Sequence, residues 1–356
     1  MNLNLNHDMP RPNEQEKTSN INIASATVAS EKHPDKNQDA YFHSQKENTA
    51  IAGIFDGVGG FVSGDEASIT ARRRILKRLQ EMPADIRAEA AQAIMQDVLL
   101  EADTDVRLLA REKGSDMGTT ASVLIICDSP NETNGQMVIG NIGDSRVYRL
   151  RDGKLEQLTL DDSSIRNTGD EAQAKALQDR LSRAKGPEDL NADDMVYFKT
   201  RNIINQALGG KSRLIPKIFQ TDVRFLDRFF LASDGITDNL TLDEIQEVLN
   251  INPNPQHAMN ILIEASVNRS KEGSFRSKSD DMTGIIIDID KQESISHEAP
   301  LHAIKPAEES SSSEQILFGK KVIVMRSNGE LDGDWVIVGP GVDGRIIVTK
   351  EVNNEL

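Results

Sequence analysis

Short apolar runs alternate with turn-forming residues over positions 21–290 of the 356-residue chain. Each run is bounded by glycine, aspartate or asparagine, which is typical of buried strands. The predicted strands are Ile51–Phe55, Ala121–Cys127, Met137–Ile142, Phe229–Ala232 and Ile285–Ile289. Arg151-Asp152-Gly153 stands between Val147-Tyr148 and Leu155, and this pattern predicts a hairpin turn after a further strand.

Other apolar residues recur every three or four positions, which is the spacing of one buried helix face. Residues 67–79, 91–109 and 242–249 show this period. Thr241 and Glu244 have the spacing of a capping box before the third stretch, and a fourth helix is predicted over 256–268. Strands dominate both ends of this region and two long helices lie between them. The order therefore favours an α+β fold over a regular βαβ alternation.

Four segments differ from this pattern. Residues 1–20 mix Asn, Glu, Lys and Pro without apolar periodicity, so we expect a disordered N-terminus. Residues 161–200 are charged, with few strand signals, and indicate an insertion over the surface. Residues 291–315 contain four successive serines and are typical of a flexible linker. Residues 316–356 form a small β-rich segment, which we expect to dock on the main domain or on a protein partner.

Composition and charge narrow the classes of function. The chain has 57 Asp and Glu against 41 Lys and Arg, and its formal net charge of −16 disfavours binding to nucleic acid or to a membrane surface. The single cysteine, Cys127, excludes an intrachain disulfide framework and fits a reducing cytoplasm. No apolar run reaches the roughly 20 residues of a membrane-spanning helix. We therefore expect a cytoplasmic protein with no nucleic-acid or membrane partner.

Aspartates end or follow apolar runs at five places along the chain. A cluster of carboxylates cannot ionise fully without compensating cations. Oxygen-only ligands favour Mg²⁺, Mn²⁺ or Ca²⁺ over zinc, and no calcium-binding loop with alternating aspartates and a trailing glutamate occurs in the sequence. Taken singly, each Asp-Gly segment is first of all a turn, and its sequence alone does not show that the five places converge.

Seven short motifs follow one another along residues 21–290. They are Asn37-Gln38-Asp39-Ala40, Asp56-Gly57-Val58-Gly59-Gly60, Gly118-Thr119-Thr120-Ala121, Gly143-Asp144-Ser145-Arg146, Ala207-Leu208-Gly209, Ser233-Asp234-Gly235 and Asp280-Asp281-Met282-Thr283. In this order and at these spacings, the region resembles the metal-dependent serine/threonine protein phosphatases, the PPM or type 2C family, and most closely its bacterial branch. The resemblance implies an α+β fold, a four-layer αββα sandwich of two mainly antiparallel sheets flanked by helices.

The resemblance also implies a role for each aspartate. Four match the catalytic residues that hold two Mn²⁺ or Mg²⁺ ions: Asp39, Asp56, Asp234 and Asp280. Asp56 would bridge the ions and the Gly57 carbonyl would add an oxygen, while Asp144 and Asp238 match ligands of a weaker third ion. The implied reaction is hydrolysis of phosphoserine and phosphothreonine in proteins, by a metal-bridged hydroxide that attacks phosphorus in line without a phosphoenzyme.

One feature departs from the family pattern. Where the family usually has an arginine that clamps the substrate phosphate, this chain offers Lys32, His33 and Lys36 as candidate phosphate-binding residues, and a lysine gives a point charge in place of a bidentate fork. For His33, the sequence favours a solvated loop histidine over a catalytic one. The alternative function is a phosphatase-like phosphoprotein-binding or regulatory protein with weak or no turnover. The insertion at 161–200 matches the family's flap, and both a gate at the site and a mobile surface loop are open interpretations.

Overall fold

The computed structural model describes residues 19–46, 49–58, 63–83, 85–127 and 135–291, and the backbone of four further strands between 313 and 349. The first ten strands are β1 (Ser19–Val28), β2 (Ala40–Lys46), β3 (Thr49–Phe55), β4 (Ala121–Cys127), β5 (Gly135–Ile142), β6 (Arg146–Arg151), β7 (Lys154–Gln157), β8 (Lys217–Val223), β9 (Arg228–Ala232) and β10 (Met282–Lys291). The helices are α1 (Gly64–Gln80), α2 (Ala88–Lys113), α3 (Glu171–Arg183), α4 (Ala192–Lys199), α5 (Asp234–Thr237), α6 (Leu242–Ile251) and α7 (Pro255–Lys271).

The ten strands form two five-stranded sheets. One sheet has the order β2-β3-β4-β5-β8, the other has the order β1-β10-β9-β6-β7, and all neighbours are antiparallel. Helices α1 and α2 pack on the first sheet, whereas α6 and α7 pack on the second. The sandwich of two antiparallel sheets flanked by helices, expected from the sequence, is confirmed.

Strand β3 shows why the strands read as uninterrupted apolar runs. Ile51 and Phe55 pack against the helices on the outer face of the first sheet. Ala50, Ala52 and Ile54 point the other way and pack between the two sheets. Because side chains alternate between the faces of a strand and both faces are covered here, every position of β3 is buried.

The predicted helices and the hairpin are also present. The apolar positions of 67–79, 91–109 and 242–249 fall within α1, α2 and α6, and the fourth predicted helix falls within α7. At the start of α6, the Thr241 hydroxyl accepts from the Glu244 amide at 3.2 Å, and the Glu244 carboxylate accepts from the Thr241 amide at 2.8 Å. The capping box read from the sequence is therefore confirmed. No helix of the described ranges is long and apolar enough to cross a membrane.

The structure adds elements that the apolar pattern did not predict. Strand β1 begins at Ser19, so the predicted disordered segment 1–20 was wrong at its last two positions, and residues 1–18 lie outside the described part of the chain. The insertion at 161–200 contains α3 and α4, which share a small apolar cluster of their own. Strand β8 mixes polar and apolar residues because it is an edge strand with an incompletely covered face.

The backbone of the C-terminal segment forms a four-stranded antiparallel sheet. Its strands are β11 (Ser313–Leu317), β12 (Lys320–Arg326), β13 (Val336–Pro340) and β14 (Arg345–Thr349), in the order β11-β12-β14-β13. The expectation of a β-rich segment agrees with this sheet. The predicted linker was too long at its C-terminal end, because β11 begins at Ser313, and residues 292–312 are outside the described ranges.

Candidate metal centre

Six aspartates from distant parts of the sequence lie at one end of the sandwich. Strands β2 and β3 are antiparallel neighbours with Ala40 opposite Phe55, so Asp39 and Asp56 lie side by side just beyond these strand ends. Strand β9 pairs with both β10 and β6 at Ala232, which places the segments beyond these strand ends close together. The six residues are Asp39, Asp56, Asp144, Asp234, Asp238 and Asp280.

Thr119 and Thr120, which directly precede β4, hold the backbone of Asp56. The Thr120 hydroxyl accepts from the Asp56 amide at 2.9 Å, and the Thr120 amide and Thr119 hydroxyl both donate to the Asp56 carbonyl, at 2.8 and 2.9 Å. The Thr120 hydroxyl also lies 2.8 Å from that of Ser145. These side chains fix the backbone and leave the Asp56 carboxylate available for another partner.

Asp39 is held by residues from the second sheet. The Ser233 hydroxyl donates to Asp39 Oδ2 at 2.8 Å and accepts from the Thr283 amide at 2.9 Å. Asp281, whose side chain is 2% exposed, accepts from the amides of Ser30 and Gln38, both at 2.7 Å. The segment that carries Asp39 is thus tied to the start of β10, and the two sheets are joined at the site.

Gly57 permits a close backbone approach beside Asp56. Its amide donates to the Gln38 carbonyl at 3.1 Å. A Cβ atom at this position would lie 2.6 Å from the Gly64 carbonyl oxygen and 2.8 Å from that of Gln38, so any larger residue would push the α1 start or the Asp39 segment away. Close backbone packing therefore requires glycine at position 57, whether or not its carbonyl binds an ion.

The six aspartates divide by the partners of their carboxylates. Three, which we name the outer carboxylates, form ion pairs with Lys278: Asp234, Asp238 and Asp280. Asp238 also pairs with Arg201 at 3.0 Å. The other three, the inner carboxylates Asp39, Asp56 and Asp144, form no ion pair with any lysine, arginine or histidine of the described residues.

The acidity of Asp39 and Asp56 differs from that of Asp238, whereas the outer carboxylate Asp234 keeps a raised pKa of about 6 because its burial outweighs Lys278. Burial raises the pKa of Asp39 to about 8, although the hydroxyls of Thr283 and Ser233 oppose the change. Burial, followed by the charges of neighbouring aspartates, raises the pKa of Asp56 well above its ordinary value. For Asp238, burial is outweighed by Lys278 and Arg201, and the pKa falls to about 2. The inner carboxylates therefore lack the positive charge that the outer ones already have.

The donor atoms of the cluster suit divalent cations that prefer oxygen. The Oδ1 atoms of Asp39 and Asp234 are buried and have no hydrogen-bond partner among the described residues. Such oxygens are costly to bury unless a cation or a donor reaches them. In the described part of the chain, no three His, Cys, Asp or Glu side chains are arranged as a ready metal cage. The outer Oδ2 atoms instead surround the Lys278 ammonium group.

The candidate phosphate-binding residues lie in the turn between β1 and β2. Lys36 Nζ pairs with Asp65 near the start of α1, at 2.9 Å. His33 Nδ1 lies 2.7 Å from the Lys36 carbonyl oxygen and 3.6 Å from Asp281 Oδ1, whereas Lys32 is exposed. His33 thus lies next to Asp281, whereas Lys32 and Lys36 are both exposed, and the role of all three in binding phosphate stays a prediction.

The insertion at 161–200 packs onto the segment that carries Asp234 and Asp238. The buried Arg276 donates to the Leu181 and Ala184 carbonyls of the insertion, at 3.1 and 3.0 Å. It also donates to the Thr237 carbonyl of α5 at 2.8 Å. One guanidinium group therefore connects α3 to the aspartate-bearing helix, because its planar fork can donate in several directions at once.

Sequence reasoning missed several of these residues. Lys278 stands only two positions before Asp280, and this closeness along the chain was a usable signal. Arg201 gave no local signal, because only the fold of the insertion brings it to Asp238. Ser233 and Asp281 were parts of quoted motifs, but their positioning roles depend on contacts between the sheets.

Comparison with known proteins agrees with this arrangement. The family model described as "Protein phosphatase 2C" matches residues 30–268, which is more than half of the chain. The chain belongs to this family. Membership confirms the enzyme class read from the motifs, a protein serine/threonine phosphatase.

Individual proteins show how far the similarity extends. The serine/threonine phosphatase stp of Listeria monocytogenes is 29% identical over 206 residues, which are 57% of this chain and 73% of that protein. The structure of serine/threonine phosphatase Stp1 from Staphylococcus aureus covers 79% of this chain and 100% of its own, with a TM-score of 0.62 at 22% identity. The catalytic domain of PstP, solved in complex with two manganese ions, covers 77% and 100%, with a TM-score of 0.56 at 22% identity. At these identities the two structures establish the fold.

Proposed function

We propose that this chain removes phosphate from phosphoserine and phosphothreonine in proteins by direct attack of water, with Asp39, Asp56, Asp234 and Asp280 of the six-aspartate cluster as its catalytic residues. The observation that carries the proposal is the convergence of these carboxylates at one end of the sandwich, with the buried Oδ1 atoms of Asp39 and Asp234 left without a donor. An acidic pocket of this kind would repel a phosphate monoester unless cations neutralised it.

Asp39, Asp56, the Gly57 carbonyl, Asp234 and Asp280 are the residues that would hold two divalent ions. When bound, Mn²⁺ or Mg²⁺ would lower the pKa of water and neutralise charge on the phosphoryl oxygens. The manganese complex of PstP supports this choice of cofactor. Sequence matching also assigned Asp144 and Asp238 to a third, weaker ion, but in the structure Asp238 already has two cationic partners.

Water is the nucleophile that best fits the surroundings of the cluster. The nearby hydroxyls are engaged, since Ser233 bonds Asp39 and the Thr283 amide, and the Ser145 and Thr120 hydroxyls bond each other. Water therefore forms the new bond to phosphorus in line with the leaving serine or threonine oxygen, whose bond to phosphorus breaks. The products are inorganic phosphate and the free hydroxyl, and no phosphoenzyme forms.

A basic groove beside the cluster offers a place for the substrate protein. The groove has a volume of about 270 Å³ and is lined by Val58 and by residues 204–207 and 210–214. Val58 directly follows Gly57, so the groove opens next to the candidate ion ligands. Arg213 in its wall would attract the negative charge of a phosphorylated segment, whereas Lys211 already pairs with Asp116 at 2.7 Å.

The test is hydrolysis of a phosphothreonine peptide by the metal-stripped chain, with Mn²⁺ or EDTA added. We expect phosphate release with Mn²⁺ only, and no acid-stable label on the protein when the phosphoryl group is radioactive. Covalent label on the protein would contradict direct attack by water. A well-folded protein that binds the peptide and releases no phosphate would instead support the alternative, a phosphoprotein-binding or regulatory protein.

Other expectations from the sequence stay predictions. A domain at 21–290, a linker at 291–315 and a C-terminal segment with a protein partner are proposed on sequence pattern. The cytoplasmic location is likewise proposed on the sequence, from the single cysteine, Cys127, and from apolar runs too short to span a membrane. Deletion of residues 292–356 tests the segment, because unchanged activity and stability would favour a partner over docking on this chain.

A further inference from the structure

A lysine lies inside the acidic cluster. Lys278 Nζ pairs with Asp234 and is 3.1 Å from Asp280 Oδ2 and 3.4 Å from Asp238 Oδ2. Its side chain is only 19% exposed, so the ammonium group is largely withdrawn from water. A buried charge of this kind is retained when several opposite charges surround it, and three carboxylates do so here.

The backbone of Lys278 is fixed in place by a buried side chain. Asn239, which is 0% exposed, accepts from the Lys278 amide at 2.9 Å and donates to the Lys278 carbonyl at 2.8 Å. The same amide group of Asn239 donates to the Gly235 carbonyl of α5 at 2.8 Å. Arg276, two residues before Lys278, also bonds to α5, because it donates to the Thr237 carbonyl. The position of the lysine is therefore set by the fold around it.

The ammonium group faces one side of the carboxylates only. It contacts the Oδ2 atoms of the outer carboxylates, whereas the buried Oδ1 atoms of Asp234 and Asp39 have no hydrogen-bond partner among the described residues. Asp234 thus presents one oxygen to Lys278 and keeps the other free for a bound ion. A divalent ion bound between Asp144, Asp234 and Asp238 would lie next to this ammonium group, and two like charges so close would repel strongly.

We propose that Lys278 is a built-in cation that fills the outer part of the cluster, so that this chain binds two divalent ions and no third ion at Asp144, Asp234 and Asp238. The inference rests on the proposed metal-dependent phosphatase function. In this arrangement Lys278 is a positioning residue, because it holds the outer carboxylates in place and does not touch the substrate. Arg201 completes the compensation at Asp238.

Counting bound ions tests the inference without reference to turnover. Metal-stripped chains are dialysed to equilibrium against saturating Mn²⁺, and bound manganese is measured by atomic emission. The variants are Lys278→Met, which removes the charge, and Lys278→Arg, which keeps it. Lys271→Met is the matched control, because Lys271 is exposed on α7 and its nearest carboxylate is Glu31 at 4.0 Å.

We expect two ions per chain for the wild type, Lys278→Arg and Lys271→Met, and one additional ion for Lys278→Met. Three ions in the wild type, or equal numbers in the wild type and a folded Lys278→Met, would overturn the inference. If Lys278→Met does not fold, the numbers of ions bound by the wild type and by Lys278→Arg test the inference, since three ions in either would overturn it. A wild type that hydrolyses phosphopeptide with Mn²⁺ yet binds three ions refutes only the role of Lys278, whereas a folded wild type that binds none refutes the proposed function as well.

Discussion

The inner and outer carboxylates of one acidic cluster are compensated in different ways. The outer group has Lys278 and Arg201 as fixed partners, and the pKa of Asp238 falls to about 2. The inner group forms no ion pair among the described residues, and the pKa of Asp39 rises to about 8. The fold itself supplies fixed cations to the outer carboxylates, of which Asp234 and Asp280 would be shared with the bound ions, whereas Asp39 and Asp56 depend on those ions alone.

The largest effect is expected from Asp56→Asn, which changes the inner group. Activity with Mn²⁺ should fall by about 10³-fold, because an electrostatic contribution to the transition state is lost. The metal-free protein should become more stable, because burial and neighbouring charges oppose ionisation of Asp56. Phosphopeptide kinetics and urea unfolding in EDTA measure the two effects. Loss of activity together with loss of stability would point to a structural role instead.

Asp238→Asn changes the outer group, and we expect it to alter stability in the opposite direction. It leaves Lys278 and Arg201 without one of their carboxylates, and breaking a buried ion pair typically costs roughly 3–5 kcal/mol. The metal-free variant should therefore unfold at lower urea concentration than the wild type, which is the reverse of Asp56→Asn. Asp243→Asn is an exposed aspartate control on α6. Equal shifts for Asp56→Asn and Asp238→Asn would remove the distinction between the groups.

The pH dependence of the metal-free protein tests the raised pKa values of the inner carboxylate Asp39 and the outer carboxylate Asp234. The pKa is raised from 3.8 to about 6 for Asp234 and about 8 for Asp39, so the folded chain retains protons that the unfolded chain releases. Stability from these groups is full below pH 3.8 and is lost as pH rises through these values. Urea unfolding in EDTA should show this decline, and Asp39→Asn should flatten it above pH 6. A stability that rises across this window would be inconsistent with an uncompensated Asp39.

A smaller effect is expected from Thr120→Val, which leaves the charges unchanged. The Asp56 amide loses its acceptor, and a buried unsatisfied donor costs about 1–3 kcal/mol. Activity should fall modestly because the Asp56 backbone is less firmly held. Thr120→Ser keeps the hydroxyl and should behave like the wild type in both unfolding and turnover. If the two variants are indistinguishable, the hydroxyl does not position Asp56.

The fold was predictable wherever burial leaves a simple pattern. Strand β3 is covered on both faces and reads as one apolar run, and the capping box at Thr241 and Glu244 marks the start of α6. Edge strand β8 has one poorly covered face and gave no such run. Helices α3 and α4 bury few residues, and these form a cluster only after the insertion has docked. The sequence therefore showed the charge of the insertion and not its helices.

For the site, five of the aspartates could be found because each stands beside a glycine or next to an apolar run, whereas Asp238 was found only through the family resemblance. Which of them have cationic partners could not be read from the sequence. Arg201 reaches Asp238 only through the fold of the insertion, and Lys278 is directed by Asn239 from another segment. Motifs specify local geometry, whereas charge compensation depends on contacts between distant segments.

The most direct measurement is a crystal structure of the Mn²⁺-loaded chain, with the ions located by anomalous diffraction. We expect two manganese peaks bound by Asp39, Asp56, the Gly57 carbonyl, Asp234 and Asp280, with Lys278 still in contact with Asp238. A manganese peak between Asp144 and Asp238, with Lys278 turned away into solvent, would contradict it.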